Sequence, residues 1–74
     1  MMTQQFKNHI SSFDELPLTA YVRQRTVEQL FACSAATVWR WVHKGLIPSP
    51  HKIGGITLWN VGELREALNA VRGA

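Results

Sequence analysis

Residues 26–45 read TVEQLFACSAATVWRWVHKG, and the fold turns on how this stretch divides. In TVEQLFA (26–32), Val27, Leu30 and Phe31 fall at i, i+3 and i+4, which makes one apolar helix face. Thr26 and Gln29 have the spacing of a capping box, where side chain and backbone satisfy each other's orphan donors at a helix start. Ser34 offers a second N-cap soon after that helix runs out. AATVWRWVHK (35–44) then follows as a second helix, and Gly45 is placed to end it in a left-handed conformation. Two short helices joined by so tight a turn form a helix-turn-helix.

The second helix sorts its residues by angle. With Val38 at the origin and ~100° per residue, Ala35, Val38 and Val42 make the core strip. Ala36, Thr37, Arg40, His43 and Lys44 make the outward face. Trp39 and Trp41 lie ~200° apart and flank the core strip on opposite sides, so periodicity does not say which is buried. The outward face is small at its N-terminal end, with an arginine one turn later and cations at the close. A major groove ~12 Å wide admits such a helix, with small residues near the bases and Arg40 reaching a guanine edge or a phosphate. A plain solvated face is the competing reading of the same residues.

Working outward, LTAYVRQ (18–24) has the β-branched and aromatic content of a short strand. HKIGGITLW (51–59) reads as a hairpin, because Gly54-Gly55 suits a two-residue primed turn. That register sets Ile53 opposite Ile56, Lys52 opposite Thr57 and His51 opposite Leu58. Lys52 and Thr57 then share one face, with His51 on the other. Asn60 caps a last helix whose expected buried stripe is Val61, Leu64, Leu68 and Val71. Residues 1–15 read as a loose N-terminal tail, within which SFDELP (12–17) could close one helical turn. Residues 16–74 read as the folded domain. The expected class is α+β, mostly α: a small winged helix-turn-helix of three helices plus a short β-hairpin wing, with a short N-terminal strand.

Composition agrees with one small domain: 74 residues, 46% of them hydrophobic. The single cysteine, Cys33, rules out an internal disulfide and suits a reducing cytosol. No apolar run approaches the ~20 residues that span a bilayer, and the N-terminus lacks the apolar centre of a signal peptide. A soluble cytoplasmic protein, associated with the nucleoid, is the expectation. The formal charge is +3, but its distribution says more. Between Glu28 and Glu63 there is no acid, while Arg40, Lys44, Lys52, His43 and His51 all lie there. A phosphate-facing surface needs its acids moved elsewhere.

Cys33, His43 and His51 lack the paired spacing of a zinc site. Asp14-Glu15 and Glu63/Glu66 lack the cleft setting of general acid–base pairs. No phosphate loop or nucleophile motif is present. No catalytic residue, metal or cofactor is therefore expected.

Taken in order, VEQLFACS, Ser34-x-x-Thr37-Val38-Trp39-Arg40, KGLIPSP and KIGG followed by Trp59 resemble the AlpA-type phage and prophage regulators. These are small relatives of the MerR-like and excisionase-like winged helix-turn-helix proteins. The resemblance covers roughly residues 20–70. It implies sequence-specific binding of double-stranded DNA, with the second helix in the major groove and the wing along the backbone or minor groove. It also implies that Trp39 lies at the DNA-facing edge beside Arg40 and that Trp41 faces the core. The chain departs from the pattern twice. Ala32 stands where the inter-helix turn commonly carries glycine, and an alanine at positive φ would be strained. Ile56 stands where the wing often carries a basic residue, which shifts the load to Lys52, His51 and backbone amides.

The expected DNA-binding residues are Ser34, Ala36, Thr37, Trp39, Arg40, His43, Lys44, Lys52 and Thr57. Arg23 and Arg25 could bracket a phosphate ahead of the first helix. The expected role is a transcriptional regulator or an excisionase-type accessory factor of a phage or mobile element. A module this small covers ~600–1,000 Å² on DNA, so a dimer or several copies on the duplex is expected. The competing class is a protein-interaction module of the same fold, docking through an apolar patch of Trp39, Leu46 and Ile47.

Overall fold

A computed structural model describes residues 12–73 of the chain. The element order is a 3-10 turn (Ser12–Glu15), β1 (Tyr21–Val22), α1 (Gln24–Phe31), α2 (Ala35–Lys44), β2 (His51–Ile53), β3 (Ile56–Asn60) and α3 (Val61–Gly73). Three helices and a three-stranded antiparallel sheet of order β1-β3-β2 make an α+β domain in the winged helix-turn-helix arrangement, about half helical.

The hairpin has the expected register: His51 pairs with Leu58, Lys52 with Thr57 and Ile53 with Ile56. Gly54 and Gly55 sit at φ 59° and 83°, the two positive values a primed turn requires. The N-terminal strand is much shorter than 18–24. Only Tyr21 and Val22 pair, opposite Asn60 and Trp59. A turn at Pro17–Ala20 precedes them, closed by the Ala20 amide on the Pro17 carbonyl at 3.0 Å.

Because the strand stops early, α1 starts early. Its N-cap is Arg23, without a side-chain capping bond, and Thr26 lies inside the helix. The capping box at Thr26 therefore does not form. Gln24 instead donates to Glu28 one turn on, at 3.0 Å.

The inter-helix turn keeps the left-handed geometry without a glycine. Ala32 has φ 52° and ψ 49°. The Cys33 amide reaches the Glu28 carbonyl at 3.0 Å, as in a Schellman close. Gly45 ends α2 the same way, with the Leu46 amide on the Trp41 carbonyl at 2.9 Å.

The core is Phe13, Val27, Val38, Ile47, Trp59, Val61 and Leu64. It corrects the sequence reading in four places. Phe13, assigned to the tail, is 3% exposed, so the packed domain reaches back into the 3-10 turn. The rest of the assigned tail, residues 1–11, lies outside the described residues. Ile47, assigned to an exposed patch, is 1% exposed. Val71, expected in the buried stripe of α3, is 51% exposed. Ala35, expected in the core strip of α2, is exposed.

Long-range hydrogen bonds tie the N-terminal segment to α3. Arg65 Nη2 donates to the carbonyls of Asp14 (2.9 Å), Phe13 (3.1 Å) and Leu16 (3.4 Å). Its guanidinium carbon lies 5.2 Å from the Phe13 ring centroid, a cation–π distance. The amides of Val61 and Gly62 donate to Ala20 and Leu18. A β-carbon at Gly62 would stand 3.2 Å from the Leu18 carbonyl, so glycine admits this close approach. Asn60 Oδ1 caps α3 by accepting the Glu63 amide at 2.9 Å.

Candidate nucleic-acid interface

Ser34 caps α2 as its sequence position suggests. Its Oγ accepts the Thr37 amide at 3.3 Å and donates to Thr37 Oγ1 at 3.1 Å. Arg40 Nη2 donates to the same Thr37 oxygen at 3.2 Å. Residues i, i+3 and i+6 thus form one polar ladder along the exposed side of α2. Thr37 Oγ1 accepts twice, which leaves its own hydroxyl proton available to an outside acceptor. Arg40 is held at one nitrogen and keeps its other N–H donors for a phosphate or a guanine edge.

Ala36 is exposed in the first turn and adds no bulk between this ladder and an approaching surface. His43 and Lys44 are exposed in the last turn. His43 Nδ1 lies 2.9 Å from the Trp39 carbonyl, so Nδ1 carries a hydrogen in this contact. Among the described residues Arg40, Lys44 and Lys52 take part in no ion pair.

The two tryptophans of α2 differ in exposure. Trp41 packs against the core from its edge, whereas Trp39 is 38% exposed. Trp39 does not stand alone. Its ring centroid lies 5.6 Å from that of Trp59, with the planes tilted by 53°. Trp59 is fully buried and donates its indole N–H to the Pro48 carbonyl at 2.8 Å. The stack couples α2 to β3 and fixes the hairpin beside the helix.

Strand alternation then orients the hairpin. Thr57 and Trp59 are two apart in β3 and share a face, and Lys52 is opposite Thr57. Lys52 and Thr57 therefore lie on the face that Trp59 turns toward Trp39 and α2. His51 lies on the other face. Its Nε2 is 3.1 Å from Glu63 Oε1, and its ring meets Tyr21 edge-on at 5.7 Å. Both contacts lie on the face of the hairpin opposite Lys52 and Thr57.

A shallow, open depression at the α1–α2 turn is lined by Arg25, Glu28, Gln29, Ala32, Cys33 and Ser34. Arg25 thus lies near the start of α2, while Arg23 caps α1 through its backbone and its side chain takes no part in that cap. Burial first, and then the Glu28 carboxylate, push the Cys33 thiol above its usual range. It stays protonated at neutral pH, a poor state for a nucleophile or a metal ligand.

Leu46, just past α2 and expected in an exposed apolar patch, is 46% exposed. Sequence reasoning missed one feature of this surface. Ile53 and Ile56, flanking the hairpin turn, are 45% and 39% exposed. Alternation assigned their face but gave no measure of what covers it. Among the described residues no helix is long and apolar enough to cross a membrane. Compared with known proteins, the chain matches no family model, no curated protein and no solved structure.

Proposed function

We propose that this chain is a sequence-specific double-stranded DNA-binding protein. α2 enters the major groove, and the Lys52/Thr57 face of the hairpin follows the adjoining backbone. One observation carries the reading. The Ser34–Thr37–Arg40 ladder and the Lys52/Thr57 face flank a single tryptophan stack, within a stretch that has no carboxylate from residue 29 to residue 62. In this reading Arg40 contacts a base or phosphate. Ser34, Thr37, His43, Lys44, Lys52 and Thr57 position the domain on the backbone, Ala36 allows close approach, and Trp39 closes the gap between helix and wing. The protein works by binding and performs no catalysis, and it needs no cofactor or metal. Its setting is the cytoplasm, on the nucleoid. Its role is that of a transcriptional regulator or an excision accessory of a mobile element, as the likeness to AlpA-type regulators suggests. Two or more copies share a site.

Selection of bound duplexes from a random pool, followed by footprinting, tests this. An enriched sequence with a protected major groove is expected. Arg40→Ala should then weaken the selected site far more than random duplex. Equal loss on both would reassign Arg40 to the backbone, and no enrichment would overturn the reading. Of the apolar patch expected for a protein-interaction module, Ile47 is turned into the core, while Trp39 and Leu46 are exposed.

A further inference from the structure

We infer that Thr37 is a positioning residue that sets the aim of Arg40 and makes this arginine a reader of guanine. The inference rests on the DNA-binding reading above and names the base that α2 selects. Thr37 Oγ1 accepts Arg40 Nη2 at 3.2 Å and Ser34 Oγ at 3.1 Å. Ser34 Oγ in turn accepts the Thr37 amide at 3.3 Å, so the hydroxyl that holds the arginine is itself held by the helix N-cap. Branching at the β-carbon also stiffens the threonine side chain. An exposed arginine otherwise loses much rotamer freedom when it binds. Here part of that freedom is already gone.

The direction of the hold matters. It turns Arg40 back along its own helix, toward the turn where Ala36 lies below it on the same face. Ala35 and Ala36 are exposed there and bring no bulk. The guanidinium therefore lies over the part of α2 that can approach a groove floor most closely, away from the flanks where phosphates run. Lys44 and Lys52, exposed and in no ion pair among the described residues, are left for those phosphates. The bond to Thr37 uses one hydrogen of Nη2. Whichever hydrogen that is, a fork of two parallel donors stays free on the guanidinium. In the major groove guanine alone sets two acceptors side by side, O6 and N7. Adenine sets a donor beside its acceptor, and thymine sets a methyl group beside its own. A fixed fork matches guanine and leaves a donor unpaired on the others.

The probe is the duplex selected from the random pool, resynthesised with 7-deazaguanine at one guanine at a time. The analogue removes the N7 acceptor and keeps the base pair and the phosphate charges. At one guanine within the α2 footprint it should weaken binding by about tenfold, and Arg40→Ala should abolish that sensitivity. Thr37→Val and Thr37→Ala, each titrated well below its melting transition, should cut the sensitivity to about twofold. Thr37→Ser keeps the hydroxyl and should restore most of it. Loss of affinity alone does not count, because a phosphate contact of the Thr37 hydroxyl would weaken analogue and parent duplex equally. Thr37 variants that keep the full sensitivity would overturn the inference and leave Thr37 a backbone contact. Sensitivity that survives Arg40→Ala, or a selected duplex indifferent to the analogue at every guanine, would also overturn it, with the DNA-binding reading intact. Failure to select any duplex would overturn both readings.

Discussion

The two halves of this domain use their polar side chains in opposite ways. On the α3 side they reach far along the chain. Arg65 bonds to Phe13, Asp14 and Leu16, Asn60 Nδ2 donates to the Leu18 carbonyl at 3.1 Å, and His51 meets Glu63. On the α2 side they reach only a turn away, Ser34 to Thr37, Arg40 to Thr37 and His43 to Trp39. Lys44 and Lys52 are exposed. Polar groups that close the fold are committed to it. Polar groups that touch only their own helix add little to stability and remain available to a partner. On the DNA-binding proposal, the difference marks where scaffold ends and interface begins.

Removing Arg65 should break the scaffold half most severely. Arg65→Ala deletes three charge-assisted bonds to carbonyls and the stacking on Phe13, and should cost about 2 kcal/mol of unfolding free energy. The Arg65–Asp14 pair, at 3.9 Å with Asp14 largely exposed, adds little to that. Duplex affinity of the folded fraction should be unchanged. Denaturant unfolding alongside titration below the midpoint reads both quantities.

Arg40→Ala is the mirror image. Stability should stay within about 0.5 kcal/mol, while affinity for the selected duplex falls by about 1–3 kcal/mol. A large stability loss at Arg40, or an affinity loss at Arg65 in folded protein, would dissolve the division between the halves.

The two N-caps sharpen the comparison. Asn60→Ala loses a cap and a cross-chain bond and should cost about 1–2 kcal/mol. Ser34→Ala loses a cap and an exposed bond to Thr37 Oγ1 within the same turn, and should cost about 1 kcal/mol or less. Thermal melts of the two variants side by side give the order.

The smallest expected effect is a gain. Ala32 holds a left-handed conformation that strains any β-carbon, so Ala32→Gly should stabilise by up to about 1 kcal/mol, partly offset by glycine's unfolded-state entropy. A loss on that substitution would mean that Ala32 packs better than its geometry suggests.

What the sequence made legible follows the same division. Local signals read correctly: the Ser34 and Asn60 caps, the Gly45 stop, the Gly54-Gly55 turn and the whole hairpin register. Each depends on residues a few positions apart. The errors were long-range. Phe13 was read as tail because its cover, Arg65 and the core cluster, comes from far along the chain. Ile47 was read as surface because its cover comes from elements on either side of its loop. The Thr26 capping box was a sound local pattern, displaced when β1 closed after two residues on β3. On the candidate surface the wheel left Trp39 and Trp41 tied, and Trp59, twenty residues from Trp39, is what Trp39 leans on.

The central claim is that the carboxylate-free α2 and hairpin surface binds duplex DNA through phosphates as well as bases. The most direct measurement is the affinity of the full chain for the selected duplex across a series of salt concentrations. Each phosphate contact should contribute a slope of about −0.9 in log affinity against log salt, and Lys52→Ala should reduce the slope by about one contact. A salt-independent affinity, or a slope that Lys52→Ala leaves untouched, would contradict the account.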